Sequence, residues 1–200
     1  HIVDASGQAR LLSRWWKLPI TRHNDLNNYA IYGYWKGSKV AETDWRLRGP
    51  ERWATISACE KGWVWHIPIK EDLVSVGWVS TKETVKKEAD LKKAYFQQAM
   101  GADSVGPLLD NATYVGNKPE GGDGPESVSV VQDWSYQVTN CAGDGWILIG
   151  DAAMFVDPIL SSGLTLAANG ANMAANLLNT IWTDPEAVSY THLTLPTILP

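Results

Sequence analysis

The stretch that decides the fold is WILIGDAA, which runs from Trp146 to Ala153. A short continuous apolar run that ends at a glycine is typical of a strand buried on both faces of a parallel sheet. Asp151 follows this strand directly, and open α/β sheets bind their ligands at the carboxyl ends of their strands. The stretch therefore predicts α/β material with a ligand site at Asp151.

A second segment, DPILSSG from Asp157 to Gly163, leads into a helix predicted over Gly163–Trp182. Pro158 restricts the backbone, and Ser161, Ser162 and Gly163 supply free N–H groups at the helix N-terminus, where an anion or an electron-rich ring edge is favoured. The same pattern is also that of an ordinary helix capped by serine. Spacing alone leaves both interpretations open.

The middle of the chain has a different pattern. Segments rich in β-branched and aromatic residues predict strands over Asn27–Trp35, Trp53–Ala58, Gly62–Ile69 and Leu73–Val79, and the short turns between the last three favour an antiparallel sheet. The spacing predicts one helix from Ser80 to Gly101, with a capping-box serine at its start and a glycine at its end. A further strand is expected over Ser127–Tyr136.

The two ends therefore look like parts of one domain that the middle interrupts. We expect one domain over 1–22 and 141–187 and an inserted sheet-and-helix domain over 23–140. Residues 188–200 contain prolines and have no helical period, and we interpret them as a non-native tail.

Composition excludes several classes of protein. The 200 residues carry a net charge of −5, which argues against a nucleic-acid partner, and no apolar run is long and uncharged enough to suggest a membrane. Two cysteines, Cys59 and Cys141, are too few for a disulfide framework or a metal site. We expect no metal, and the absence of a recognisable secretory signal favours a cytoplasmic location.

The motif WVWHIP, residues 63–68, places Trp63, Trp65 and Ile67 on one face of a strand because side chains alternate with a period of two. From the residues alone this is a core or interface strand. His66 points to the other face, and no carboxylate or cysteine stands at metal-ligand spacing from it.

Together, the W-x-W-x-I-P motif and the Gly150-Asp151 motif make the sequence resemble the flavin-dependent halogenases, within the wider superfamily of FAD-dependent hydroxylase-like proteins. Val3-Asp4-Ala5-Ser6-Gly7 is similar to a strand and turn that the superfamily places beside FAD. The resemblance implies a mixed α/β fold, in which this chain is the C-terminal part of a Rossmann-type FAD-binding domain with an inserted antiparallel-sheet substrate domain. It implies an enzyme that uses FAD, reduced by a partner flavin reductase, with O2 and chloride or bromide to halogenate a small electron-rich aromatic substrate.

The resemblance also implies roles for particular residues. The halide would be held by the N–H groups of Ser162 and Gly163. Trp63 and Trp65 would separate the flavin from the substrate and suppress monooxygenation, within a motif completed by Ile67 and Pro68. The cofactor would be lined by Asp4, Gly7, Gly150, Asp151, Pro158, Gly163 and Leu164.

The sequence departs from the family pattern in three places. It contains no Gly-x-Gly-x-x-Gly, and no lysine matches the catalytic lysine of the family, which we expect upstream of His1. We therefore expect a fragment that is inactive by itself. Leu160 stands where the tryptophan-specific members have a glutamate, which favours a phenol- or pyrrole-type substrate, free or tethered to a carrier protein.

Two rival hypotheses stay open at this point. One is a flavin-dependent aromatic hydroxylase (monooxygenase) or an FAD-dependent reductase that shares the Gly150-Asp151 motif. The other is a relative that binds FAD without catalysis. Halide-dependent product formation separates the halogenase from both.

Overall fold

A computed structural model describes residues 1–22, 26–39, 53–120, 123–132 and 134–183, without the side chain of residue 160. The strands are β1 Ile2–Asp4, β2 Ile20–Arg22, β3 Asn28–Lys36, β4 Thr55–Cys59, β5 Gly62–Lys70, β6 Leu73–Thr81, β7 Thr113–Gly116, β8 Ser129–Gln132, β9 Tyr136–Val138, β10 Ala142–Gly143, β11 Trp146–Leu148 and β12 Met154–Phe155. The α-helices are α1 Leu11–Trp15, α2 Lys82–Lys86, α3 Leu91–Gly101, α4 Gly106–Leu109 and α5 Gly163–Thr183.

The chain divides into two compact units. Unit 1 combines the two ends of the chain, residues 1–26 and 134–200, and unit 2 is the continuous segment 27–133. Residues 134–140, which we had assigned to the middle segment, therefore group with unit 1. The proposed tail over 188–200 lies outside the described residues.

Unit 1 contains two small sheets. In one, β1 pairs in parallel with β11, which pairs antiparallel with β10. In the other, β9 lies between β2 and β12 and is antiparallel to both. A small apolar core is formed around Leu12, Val138, Leu148 and Ala153. The strand β11 is less enclosed than its sequence predicts, because Leu148 is buried whereas Trp146 and Ile147 are partly exposed.

Unit 2 is an antiparallel sheet with the strand order β4-β5-β6-β3-β7, and β8 also pairs with β3. The central strand β6 is buried along almost its whole length, as its run of valines favours. One face of the sheet packs against α3 and α4. The core on that face includes Ile31, Val76, Trp78 and Tyr95, all essentially inaccessible to solvent.

Two predicted elements are wrong as continuous elements. The single helix expected from Ser80 to Gly101 is two helices, α2 and α3. Thr81 caps α2 by accepting the N–H of Thr84, and Asp90, in extended conformation, caps α3 by accepting the N–H of Lys93. A side chain that offers the backbone a local acceptor competes with helix continuation, so Asp90 starts a new helix rather than extending the old one.

The strand expected over Ser127–Tyr136 is likewise two strands, β8 and β9, which belong to different units. The predictions for β3, β4, β5, β6 and α5 are confirmed to within about two residues at each end. Within the described residues, none of the helices combines the length and the apolar character that a membrane span requires.

Candidate functional site

Two turns lie side by side at the carboxyl ends of the parallel strands β1 and β11. Asp4 is in register with Leu148, and the N–H of Ile149 donates to the carbonyl oxygen of Asp4 at 3.0 Å. The chain then forms a 3-10 turn over Gly7–Ala9 and another over Gly150–Ala152, and these two turns are in contact. Asp4, Gly7, Gly150 and Asp151 are thereby brought together, where α/β sheets bind ligands.

Asp4 has its hydrogen-bonding capacity occupied by its own turn. One carboxylate oxygen accepts the N–H of Ser6 at 2.9 Å and the other accepts the N–H of Leu12 at 2.8 Å. Burial by itself would raise the pKa of Asp4, but hydrogen bonds from Ser6 and Leu12 outweigh burial and hold the pKa below its usual value. Asp4 therefore fixes the turn and the start of α1.

Asp151 differs in its surroundings. Its side chain is half-buried, burial raises the pKa of the carboxyl group, and a hydrogen bond from the Gln8 side chain lowers it by less. A carboxylate that is partly desolvated and has a single side-chain donor retains acceptor capacity for a ligand hydroxyl. The Asp151 carboxylate can accept hydrogen bonds from a diol, as a ribityl or ribose group would offer.

Tyr136 on β9 fixes the backbone of the Asp151 turn. Its ring is buried, and its hydroxyl donates to the carbonyl oxygen of Asp151. The hydroxyl of Ser135, just before β9, donates to the carbonyl oxygen of Val156. Two neighbouring side chains therefore hold the backbone between β11 and the 3-10 turn at Pro158. The position of Asp151 is thus set by a strand distant from it in the sequence.

Arg10 stacks on the ring of Tyr136. Its guanidinium carbon lies 4.4 Å from the centroid of the Tyr136 ring, a cation–π contact. Arg10 has a φ of 51°, a left-handed conformation that costs a non-glycine residue about 1 kcal/mol. Burial lowers the pKa of Arg10, and Arg14 and Arg22 are close enough to lower it further.

Some buried donors of unit 1 have no acceptor among the described residues. They are Nε and Nη1 of Arg10, the hydroxyl of Ser13 and Nε1 of Trp134. A buried donor left without an acceptor costs about 1–3 kcal/mol, so such groups are suited to a polar or anionic ligand. Together with the Asp151 carboxylate, these donors are compatible with a hydroxyl-bearing, anionic cofactor such as FAD.

The candidate halide segment begins beyond β12. The side chain of Asp157 accepts the N–H of Ile159 at 2.9 Å and caps the 3-10 turn that starts at Pro158. Ser161 has a φ of 52°, and the carbonyl oxygen of Ser162 accepts the N–H of Leu166 at 2.9 Å at the start of α5. The N–H groups at the start of α5 have no partner within the helix, as at every helix N-terminus.

The halide and cofactor residues at this helix start differ in exposure. Ser162 and Gly163 are half-buried and Leu164 is 82% exposed, whereas Pro158 is half-buried in its turn. The helix reaches the Asp151 turn further along, since a Cβ added to Gly150 would lie 3.1 Å from the Cβ of Ala167. Unit 1 therefore contains every residue that the sequence predicts for cofactor and halide.

The aromatic motif lies in unit 2, on β5. Trp63 and Trp65 are half-buried on the sheet face opposite the helices, with ring centroids 6.0 Å apart. Ile67 lies on the same face and is 37% exposed, and Pro68 is half-buried.

His66 lies on the core face of β5, as its position in the sequence predicts. Its Nε2 is 2.8 Å from the hydroxyl of Ser38, and its Nδ1 is buried without a partner among the described residues. Burial lowers the pKa of His66, so the ring is neutral near pH 7. In the described part of the chain, no cluster of metal-ligating side chains includes it.

Sequence reasoning missed Gln8, Arg10 and Tyr136. Gln8 and Arg10 follow the Asp4 turn in sequence, and only the contact between two turns relates them to Asp151. Tyr136 stands within a longer segment that reads as one strand, and no spacing rule links it to residue 151.

Comparison with known proteins assigns the chain to a family. The family model described as tryptophan halogenase matches residues 2–191. The chain belongs to this family. Flavin-dependent halogenase armH5 of Armillaria mellea is 36% identical over 184 residues, covering 88% of this chain and 33% of that protein. Tryptophan 2-halogenase of Chondromyces crocatus is 30% identical over 182 residues, covering 90% of this chain and 32% of that protein.

Solved halogenase structures share the fold. The myxobacterial chondrochloren halogenase CndH, an FAD-dependent halogenase, matches 95% of this chain and 41% of its own, with a TM-score of 0.76 and 29% identity. The flavin-dependent halogenase CmlS matches 92% of this chain and 31% of its own, with a TM-score of 0.74 and 30% identity. The α/β fold class and the family resemblance are confirmed. The chain spans about a third of the length of the curated relatives it matches.

Proposed function

We propose that this chain is part of an FAD-dependent halogenase that acts on an electron-rich aromatic substrate. The observation that carries the proposal is the half-buried Asp151 carboxylate at the end of a parallel strand pair, in a chain whose family model matches almost its whole length. Names of the relatives agree in one point, since each includes halogenase. When bound, reduced FAD together with O2 would supply the oxidising power that converts halide into an electrophile.

The residues of unit 1 would bind and orient the cofactor. Asp151 would accept hydrogen bonds from hydroxyl groups, and Gln8 and Tyr136 would keep its turn in place. Arg10 and Trp134 would donate their unpartnered N–H groups to anionic or carbonyl oxygens. Gly7, with a φ of 63° and no atom near a hypothetical Cβ, leaves room for close approach to the turn.

The start of α5 would hold chloride or bromide. The helix macrodipole and free N–H groups favour an anion at this end, and no acidic residue is present in the first turn to oppose it. Pro158 would pack against the flavin ring, and Leu164 would supply exposed apolar surface beside it.

The substrate class follows from one feature of this sequence. Leu160 cannot stabilise a positive charge that develops on an indole ring, which disfavours free tryptophan. We therefore propose phenol- and pyrrole-type rings as substrates, either free or tethered to a carrier protein. We also propose that Trp63 and Trp65 form a barrier against monooxygenation. A cytoplasmic location, where a flavin reductase can supply reduced FAD, fits this reaction.

The test uses the protein as encoded by its gene, with FAD, NADH, a flavin reductase, and chloride or bromide. Phenol, pyrrole and free tryptophan are offered separately, and products are identified by the isotope pattern of the halogen in mass spectra. We expect halogenated phenol or pyrrole only when halide is present. A hydroxylated product that forms equally without halide would replace the proposal by an aromatic hydroxylase.

A matched pair of variants ties the result to the site. Asp151→Asn should lose flavin affinity, whereas Asp144→Asn, an exposed aspartate on the turn before β11, should keep it. Carrier tethering is tested by comparing the same ring in free and carrier-bound form.

A further inference from the structure

Trp65 lies in a row of residues that crosses three strands of unit 2. Gly77 on β6 is in register with Trp65 on β5 and with Tyr32 on β3. Residues in register across neighbouring strands point to the same face of the sheet, so the three positions share a face. Tyr32 and Trp65 are therefore separated by the whole width of β6.

The two rings nevertheless meet above Gly77. The centroid of the Tyr32 ring lies 5.9 Å from that of Trp65, whereas strands two apart are separated by about 9.6 Å. A Cβ added to Gly77 would lie only 2.2 Å from Cζ2 of Trp65 and 2.4 Å from its Cη2. The indole ring thus lies directly over the backbone of Gly77, in space that any side chain would occupy.

A hydrogen bond fixes the other edge of the indole ring. Nε1 of Trp65 donates to the hydroxyl of Ser75 at 3.2 Å, and Ser75 is two residues before Gly77 on the same face of β6. Ser75 is 8% exposed, so this bond is protected from water. Gly77 leaves space for the indole ring of Trp65, and the hydroxyl of Ser75 accepts its N–H. These two contacts account for the orientation of the ring.

We propose that Gly77 and Ser75 are positioning residues that hold the Trp65 indole across β6, on the face of the sheet opposite α3. The functional meaning of this orientation rests on the proposed halogenase activity, in which Trp65 is a motif residue. The orientation itself does not, because it follows from contacts within unit 2.

The chain contains a matched control for Gly77. Gly33 on β3 also has an aromatic ring in the space of its missing side chain, since an added Cβ would lie 2.3 Å from the hydroxyl oxygen of Tyr114. That clash is on the core face, where Tyr114 packs against Trp35 at 5.3 Å between centroids. Alanine at either glycine creates a comparable clash on opposite faces of the sheet.

The test is a set of 1H–15N spectra of the indole groups, in which Trp65→Phe assigns the Trp65 signal among those of the eleven tryptophans. Ser75→Ala should move that signal upfield and speed its exchange with solvent about fivefold, as loss of one net hydrogen bond predicts, and Ser75→Thr should restore it. Gly77→Ala should move the Trp65 signal, whereas Gly33→Ala should move that of Trp35 and leave Trp65 unchanged.

A Trp65 signal that stays unchanged in both Ser75→Ala and Gly77→Ala would overturn the proposal, as would an equal shift in Gly33→Ala. If Gly77→Ala does not fold, the Ser75 pair of variants decides alone. In the protein as encoded, Ser75→Ala should lower the halogenated product formed per flavin oxidised, with flavin affinity unchanged. A normal product yield in Ser75→Ala would overturn the functional meaning of the Trp65 orientation. Absence of halogenation in the wild type would overturn the proposed function, and the spectra would still test whether Gly77 and Ser75 position Trp65.

Discussion

The two aspartate turns of unit 1 occupy equivalent places at the ends of neighbouring parallel strands, yet they use their carboxylates differently. Asp4 is 5% exposed and accepts backbone N–H groups on both of its oxygens. Asp151 is half-buried, and among its neighbours Gln8 supplies the side-chain hydrogen bond that opposes the effect of burial on its pKa. The pKa of Asp4 is lowered and that of Asp151 is raised.

This difference separates a group that stabilises the fold from one that is available to a ligand. A carboxylate that accepts backbone N–H groups on both oxygens lowers the free energy of the folded chain and has less acceptor capacity left for a ligand. A carboxylate desolvated with little compensation destabilises the ligand-free fold slightly, and a bound hydroxyl group can recover that free energy. Although both aspartates match flavin-contacting motifs, we expect ligand specificity from Asp151 and scaffold stability from Asp4.

Asp4→Ala should have the largest effect. It leaves the N–H groups of Ser6 and Leu12 without their acceptor, and the free energy of unfolding should fall by about 3 kcal/mol. Urea denaturation measures this change. Asp151→Ala is the control and should lower stability by much less; equal losses would remove the distinction between the turns.

Flavin binding should depend on Asp151, which Asp151→Asn tests. The loss of a charged acceptor should weaken FAD binding about tenfold or more, since a hydrogen bond to a charged group is worth about 1.5–3 kcal/mol. Fluorescence titration of the protein as encoded gives the dissociation constant. Unchanged affinity would mean that the Asp151 carboxylate does not contact the cofactor.

Tyr136→Phe tests whether the Asp151 turn depends on β9. Removal of the hydroxyl that donates to the carbonyl oxygen of Asp151 should lower stability by about 1 kcal/mol and also weaken FAD binding. Tyr114→Phe removes a similar bond, to the carbonyl oxygen of Ser127 in unit 2. That control should lose comparable stability without any change in FAD affinity, and a loss of affinity in both would refute a local effect.

The smallest expected effect is the pH dependence of stability. Because the pKa of Asp4 is lower in the folded state, its contribution is present above the unfolded-state value of about 3.9 and is lost as pH falls through the folded value. For Asp151 the folded pKa is raised, so its contribution is present at lower pH and is lost as pH rises through the folded value. Melting temperatures of the wild type and of Asp151→Asn are compared from pH 3 to 7, about the range in which carboxyl groups titrate. The melting temperature of the variant should rise relative to that of the wild type as pH increases.

The sequence predicted which aspartates belong to this site better than it predicted the contacts that they make. Asp4 and Asp151 could be found because each follows an apolar strand and matches a known motif. Their different roles could not, since the N–H of Leu12 reaches Asp4 only after α1 has formed, and Gln8 reaches Asp151 only when two turns from opposite ends of the chain meet.

In unit 2, too, the sequence pattern predicted features of single strands but not features that depend on packing. β-branched and aromatic residues predicted both β5 and β6, and the period of two in β5 predicted the shared face of Trp63 and Trp65. The break between α2 and α3 was missed, since Asp90 is compatible with either a helix interior or a cap and the choice depends on packing. Gly77 carries no pattern of its own, and its purpose is visible only with the Trp65 ring above it.

The interruption of unit 1 by unit 2 has a consequence for synthesis on the ribosome. β1 leaves the exit tunnel before unit 2, but its parallel partner β11 follows only after the whole of unit 2 has been made. Unit 2 is a continuous segment, so it can complete its sheet before β11 is made. Until β11 is made, the backbone N–H and C=O groups of β1 lack this partner strand, and the nascent chain should engage chaperones through β1.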